Sequence, residues 1–176
     1  IIIDFGLHQG LESSCEFNYH KPFDVKKLTA AIVTHAHVDH CGRIPFLYNL
    51  GFEGSTYFSS KESMELSFIQ LEDCANLMLH EYEAKLHMFN KHRNICSEAG
   101  RLKKQREKPR SPRNGNRLEK PSVEDLHKAE ANKKSILCML KVDNIDDAVP
   151  KLPIYTEEDV LKTKHCSSVL KTNITD

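Results

Sequence analysis

The sequence predicts an α/β fold with a mainly helical segment after residue 60, and three observations predict it. Ile1–Ile3 and Thr29–Thr34 are short β-branched apolar runs, the pattern of strands buried on both faces. Between the second run and another strand-like stretch, Ser55–Phe58, lies Gly42–Leu50, which has the composition of a short helix closed by Gly51. From Ser60 to Arg93 there is then neither glycine nor proline, the punctuation that would interrupt a helix.

Taken in order, Ile1–Ile3 stops at Asp4-Phe5-Gly6, where a polar residue and a glycine end the run. Thr29–Thr34 passes directly into His35, which puts a histidine cluster just past the carboxyl end of a strand, the edge where open α/β sheets bind ligands. After Ser60, apolar residues recur at Met64, Phe68, Leu71, Ala75, Met78, Tyr82, Leu86 and Phe89, steps of three and four that make one core-facing helical stripe. Ser59, with Glu62 three residues on, is a candidate capping box for its start. Ser122-Val-Glu-Asp125 opens another helix, and Thr156-Glu-Glu-Asp159 caps a third after the strand-like Leu152–Tyr155.

At 176 residues the chain is long enough for one domain with its own core. Lys+Arg and Asp+Glu stand at 25 each, so total charge points to neither a nucleic-acid nor a membrane partner. Distribution is more telling: Gly100–Pro121 holds nine basic residues against Glu107 and Glu119, a local charge of +7 among Pro109, Pro112 and Gly115. It is expected to be a flexible basic insertion, with Lys103, Lys104 and Arg106 as candidate nucleic-acid contacts. No apolar run is long enough to span a bilayer, so no membrane partner is expected. Six scattered cysteines without a Cys-x-x-Cys pair read as reduced thiols of a cytoplasmic protein. A chain opening inside a β-branched run, without an initiator Met, reads as truncated.

His35-Ala-His37-Val-Asp39-His40 sets four metal-ligand side chains within six residues. His35 and His37 alternate as on an extended segment and can share one ion, while Asp39 and His40 follow in a turn that can aim them at a second. Imidazole and carboxylate suit zinc and also admit manganese or iron. Two such ions clamp the attacking and leaving oxygens of a displacement. A structural zinc usually recruits cysteine, and a helical metal motif spaces its ligands at i and i+4, so neither describes this pattern.

Thr34-His-Ala-His-Val-Asp-His40 followed by Cys-Gly-Arg-Ile-Pro-Phe-Leu resembles the second motif of the metallo-β-lactamase superfamily, and Asp4 in Ile-Asp-Phe-Gly-Leu-His-Gln-Gly resembles the first. Gly10, the Gly51-Phe52 step and Leu152-Pro-Ile-Tyr-Thr-Glu-Glu-Asp159 resemble its β-CASP RNA-processing branch, to which ribonuclease J and the endonuclease of the cleavage and polyadenylation machinery belong. The resemblance implies part of an αββα sandwich and a metal-dependent ribonuclease acting on RNA. It implies His35 and His37 as ligands of one zinc, Asp39 and His40 as ligands of another, and Asp39 as the catalytic residue that orients the nucleophilic water. Asp4 would be a buried residue that steadies the metal loop by hydrogen bonding. The family completes its site with a further histidine and a bridging aspartate that match nothing here, so the chain is expected to carry half a site, truncated at both ends. His8 could approach it, whereas His80, His87 and His92 read as ordinary surface residues of the long helix.

The expected organisation is a metal-motif core over residues 1–60, a long helical segment over 61–99, the basic insertion over 100–121 and a helical return of the same domain over 122–176. Two rivals remain at this level: a small-molecule hydrolase of the same fold, of thioesterase or lactonase type, and a non-catalytic fragment or binding subunit.

Overall fold

The computed structural model describes residues 1–10, 16–107 and 120–170. Contacts divide the chain into two compact units, residues 1–81 with 152–176, and residues 82–151.

The first unit is built on a four-stranded parallel sheet in the order β1 (Ile2–Ile3), β2 (Ala30–Val33), β3 (Ser55–Phe58) and β4 (Ser167–Val169). Ala31, Val33 and Phe58 are fully buried, but burial alternates along β2 and β3 and Ile3 of β1 is 64% exposed, so the burial on both faces that the apolar runs predict is not found among the described strands. Between β2 and β3 the chain forms α1 (Val38–Cys41) and α2 (Ile44–Asn49), and Gly51 at φ 91° ends the crossover in the left-handed region that the sequence anticipates for a helix stop. Ile44, Leu47 and Leu71 close the core with Tyr155 and Val160, the last on α5 (Glu157–His165). Among the described residues there is one sheet, so the second sheet of the sandwich implied by the resemblance is not formed by them.

The long helix α3 spans Lys61–Glu107, 47 residues. Phe68, Leu71, Ala75 and Phe89 of its stripe are buried as expected, while Met64, Met78, Tyr82 and Leu86 are half-buried. The cap lies one residue later than the sequence predicts. Ser63 N–H donates to Ser60 Oγ at 3.1 Å, while the Ser59 hydroxyl donates to the Thr34 carbonyl instead.

The end of α3 corrects a larger expectation. Residues 101–107 are helical, not loop, so Lys103, Lys104 and Arg106 stand on a helix. Arg, Leu, Lys, Gln and Glu are all good helix formers, and the first proline comes only at Pro109. The rest of the predicted flexible insertion, 108–119, lies outside the described residues.

In the second unit Phe89, Cys96 and Ile145 form a small core with Leu86, Ile136, Leu137 and Leu140 around it. Helix α4 (Val123–Leu140) starts at the predicted capping box, with Ser122 and Asp125 bonded reciprocally. It ends with Lys141 in the left-handed region and Val142 N–H donating to the Leu137 carbonyl, a Schellman closure.

Leu152–Tyr155 is not a strand. Ile154 and Tyr155 are buried, but the Ile154 carbonyl accepts from Asn49 Nδ2 at 3.0 Å, so the segment lies against α2 and not in the ladder. The predicted 122–176 return is also divided: residues up to 151 belong to the second unit, and those from 152 to the first, where they include β4. Among the described residues no helix is long and apolar enough to cross a membrane, and no disulfide is formed by the described cysteines.

Candidate metal centre

The site grows from the carboxyl ends of β1 and β2. Asp4 follows β1 at φ 56°, a left-handed conformation that aspartate tolerates better than most residues, and its N–H still donates to the Ile32 carbonyl at 2.8 Å. The chain then runs beside the histidine loop. Phe5 N–H donates to the His40 carbonyl at 2.7 Å, and Leu7 N–H to the Val38 carbonyl at 2.9 Å. Gly6 sits at the closest approach, where a Cβ would fall 1.8 Å from the Asp39 carbonyl oxygen. Only glycine lets the two loops meet.

Asp4 is the hub. Its Oδ1 accepts from Thr34 N–H at 2.8 Å, and its Oδ2 accepts from the Thr34 hydroxyl at 2.7 Å and from His40 Nδ1 at 2.8 Å. Partial burial pushes the carboxyl pKa up, but the bonds from Thr34 and His40 outweigh it and hold Asp4 below the usual carboxylate value. The resemblance implies a buried Asp4; in fact its side chain retains 20% exposure.

This network sets the imidazole tautomers. His40 gives its Nδ1 proton to Asp4, which leaves Nε2 with a free lone pair. Thr34 spends its hydroxyl proton on Asp4, so the same oxygen accepts from His35 Nδ1 at 3.0 Å, which leaves the lone pair on His35 Nε2, facing His37 Nδ1. Sequence reasoning made Thr34 the end of a strand and gave it no part in the site; the signal available was its place directly before His35.

The motif residues lie close together, the His35 ring centroid being 4.6 Å from that of His37 and 4.0 Å from that of His40. His35 Nε2 and His37 Nδ1 are 3.1 Å apart. Two nitrogens on one tetrahedral zinc, each about 2.0–2.1 Å from it, stand about 3.3 Å apart, so this donor pair fits one ion. His40 Nε2 lies 3.7 Å from Asp39 Oδ2. Asp39 and His40 lie on a single helical turn, α1, with the His37 carbonyl accepting from both His40 and Cys41 N–H. Among the described residues no group of three or more His, Cys, Asp or Glu converges as one metal cage.

Arg43, also unassigned in the sequence reading, is buried and supports the site from behind. It stacks 4.3 Å from the Phe5 ring centroid and donates from Nη2 to the His20 carbonyl at 2.6 Å, while its N–H donates to the Phe5 carbonyl. His8 is held by its backbone to the buried Asn18, with its ring against Phe17. His80 and His87 are exposed on α3, and His92 is half-buried there.

The fold and this histidine–aspartate loop invite comparison with known families, and residues 1–66 match the family described as the metallo-beta-lactamase superfamily. Particular relatives narrow the likeness. The chain is similar to a ribonuclease of Thermus thermophilus, 39% identical over 80 residues, which cover 44% of this chain and 18% of the relative. It is similar to the transcription termination factor FttA of Methanocaldococcus jannaschii, 41% identical over 58 residues, or 32% of this chain and 9% of that protein. It is also similar to the endoribonuclease YSH1 of Candida albicans, 28% identical over 60 residues, or 34% of this chain and 7% of that one. The chain thus spans less than a fifth of the length of these curated relatives.

Proposed function

We propose that this chain carries part of the metal centre of a hydrolase that cleaves RNA phosphodiester bonds. The observation that carries the reading is the Asp4–Thr34–His network. It leaves the lone pairs on His35 Nε2 and His40 Nε2, and His37 Nδ1 lies 3.1 Å from His35 Nε2, close to the spacing of two ligands on one ion. The names of the relatives, a ribonuclease and an endoribonuclease, support RNA as the substrate over a thioester or lactone.

In this reading His35 and His37 hold one zinc, and Asp39 and His40 contribute to a second. When bound, the divalent ions supply a water that is nucleophilic near neutral pH and offset charge on the attacked phosphate. The chain's own residues do the rest. Asp4 fixes the proton on His40 Nδ1, Thr34 fixes the one on His35 Nδ1, and the exposed Asp39 carboxylate accepts a proton from the attacking water and orients it. A cytoplasmic location belongs to this reading on the scattered cysteine spacing of the sequence.

The test is RNA cleavage by the full-length protein and by its Asp39→Ala variant, with folding checked by circular dichroism. Cleavage is expected to fall by at least roughly a hundredfold, the scale of losing a group that moves a proton in the reaction. Unchanged cleavage in Asp39→Ala overturns the role of Asp39. Turnover of a thioester or lactone with no RNA cleavage by the wild type replaces the substrate class.

A further inference from the structure

Charge is segregated between the two units. Residues 82–151 carry seventeen Lys and Arg against ten Asp and Glu, a net +7, whereas residues 1–81 and 152–176 together carry eight against fifteen, a net −7. In formal charge the unit with the metal motif is therefore acidic apart from any bound cations, and the balanced total conceals the segregation.

Within the basic unit one surface combines a groove with several cations. A groove of about 460 Å³ on α3 is lined by Ser97, Gly100, Arg101, Lys104 and Gln105, with no carboxylate among its lining residues. Lys103 and Arg106 flank this groove in sequence. Among the described residues no carboxylate pairs with Lys103, Lys104 or Arg106, while Arg101 is shared with Glu98 at 3.4 Å.

Gly100 marks the groove. A glycine inside a helix weakens it relative to alanine, and here neither a turn nor a close approach explains its presence: a Cβ at this position would meet nothing within 4 Å. Its missing side chain keeps the groove open.

We propose that this helical unit binds RNA through its phosphate backbone, with the Gly100 groove and Lys103, Lys104 and Arg106 as the contact surface. The proposal rests on the RNA reading above and names the part of the chain that supplies affinity. From Gly100 to Lys141 there is no Phe, Tyr or Trp on which a base could stack, so binding is electrostatic, salt-dependent and indifferent to base sequence.

The test is binding of fluorescein-labelled poly(U) and poly(A) oligonucleotides to the intact chain, measured by anisotropy in EDTA across a salt series. Chelation removes any contribution of the metal centre, so failure of the hydrolase reading leaves this result untouched. Wild-type chain is expected to bind both polymers alike. The triple variant Lys103→Gln, Lys104→Gln, Arg106→Gln is expected to bind roughly tenfold more weakly at low salt and to lower the slope of log K against log salt by about 2. Gln is a good helix former, so α3 is retained, as circular dichroism checks. Gly100→Leu, which fills the groove without changing charge, is expected to weaken binding severalfold. The unit 1 control Lys21→Gln, Lys26→Gln, Lys27→Gln removes the same charge and is expected to stay within twofold of wild type. Equal losses in the two triples overturn the proposal, because net charge alone then explains binding. So does an absence of RNA binding at low salt. Equally tight binding of poly-glutamate replaces RNA with an acidic protein partner.

Discussion

Gly6→Ala tests whether the close approach of the two loops creates the site. The added Cβ would lie 1.8 Å from the Asp39 carbonyl oxygen, 1.9 Å from its carbon and 2.4 Å from His40 N, all backbone atoms with no side chain to swing aside. To regain ordinary contact at 3.4 Å the loops must part by about 1.5 Å. Such a shift breaks the bonds from Phe5 N–H to His40 and from Leu7 N–H to Val38, now 2.7 and 2.9 Å. Two lost backbone bonds cost about 2 kcal/mol together, and overpacking adds about 1–3 kcal/mol, for a destabilisation of about 3–5 kcal/mol. Gly10→Ala is the comparison: its φ of 126° disfavours a side chain, yet a Cβ there meets nothing within 4 Å. Its cost is torsional, about 1–2 kcal/mol, and leaves the metal loop in place. Urea denaturation followed by circular dichroism measures both, and zinc content after dialysis reads the site. A Gly6→Ala protein within 1 kcal/mol of wild type that retains zinc would refute the reasoning.

Two further outcomes follow from the same contacts. Asp4→Asn keeps the size of the side chain but can accept at only one of the two carboxylate positions, so its NH2 faces either Thr34 N–H or the Thr34 hydroxyl and His40 Nδ1; zinc affinity, measured by chelator competition, is expected to fall about 10- to 100-fold, and unaltered affinity would remove Asp4 from the site. At α4, the bonds from the Ser122 hydroxyl and N–H hold the Asp125 carboxyl below its ordinary value, so the cap's contribution is present at neutral pH and is lost as acid protonates it. Helical circular dichroism should therefore show an acid-side loss that Asp125→Asn lacks, and identical pH profiles would contradict it.

The metal motif was legible because its residues are contiguous: His35, His37, Asp39 and His40 need only a strand end and a turn to gather, and β2 and α1 provide them. The core-facing stripe of α3 was legible for a similar reason, since its period is local. The extent of α3 was not. Gly100 and the charge run beyond it read as a break, while the helix continues on the propensity of Arg101–Glu107. Strand β4 was missed because Ser-Ser-Val carries little strand signal of its own; it is a strand by pairing with β3, more than a hundred residues earlier.

By itself, then, the sequence determined the α/β class and the gathering of candidate ligand types in one short loop. Only the tertiary structure decided what arms them. Asp4 reaches Thr34 across thirty residues and His40 across thirty-six, and Gly6 makes room for that meeting. Ligand chemistry is a property of the residues, but the choice of which ring nitrogen keeps its lone pair depends on a hydrogen-bond partner that chain folding alone brings within 3 Å.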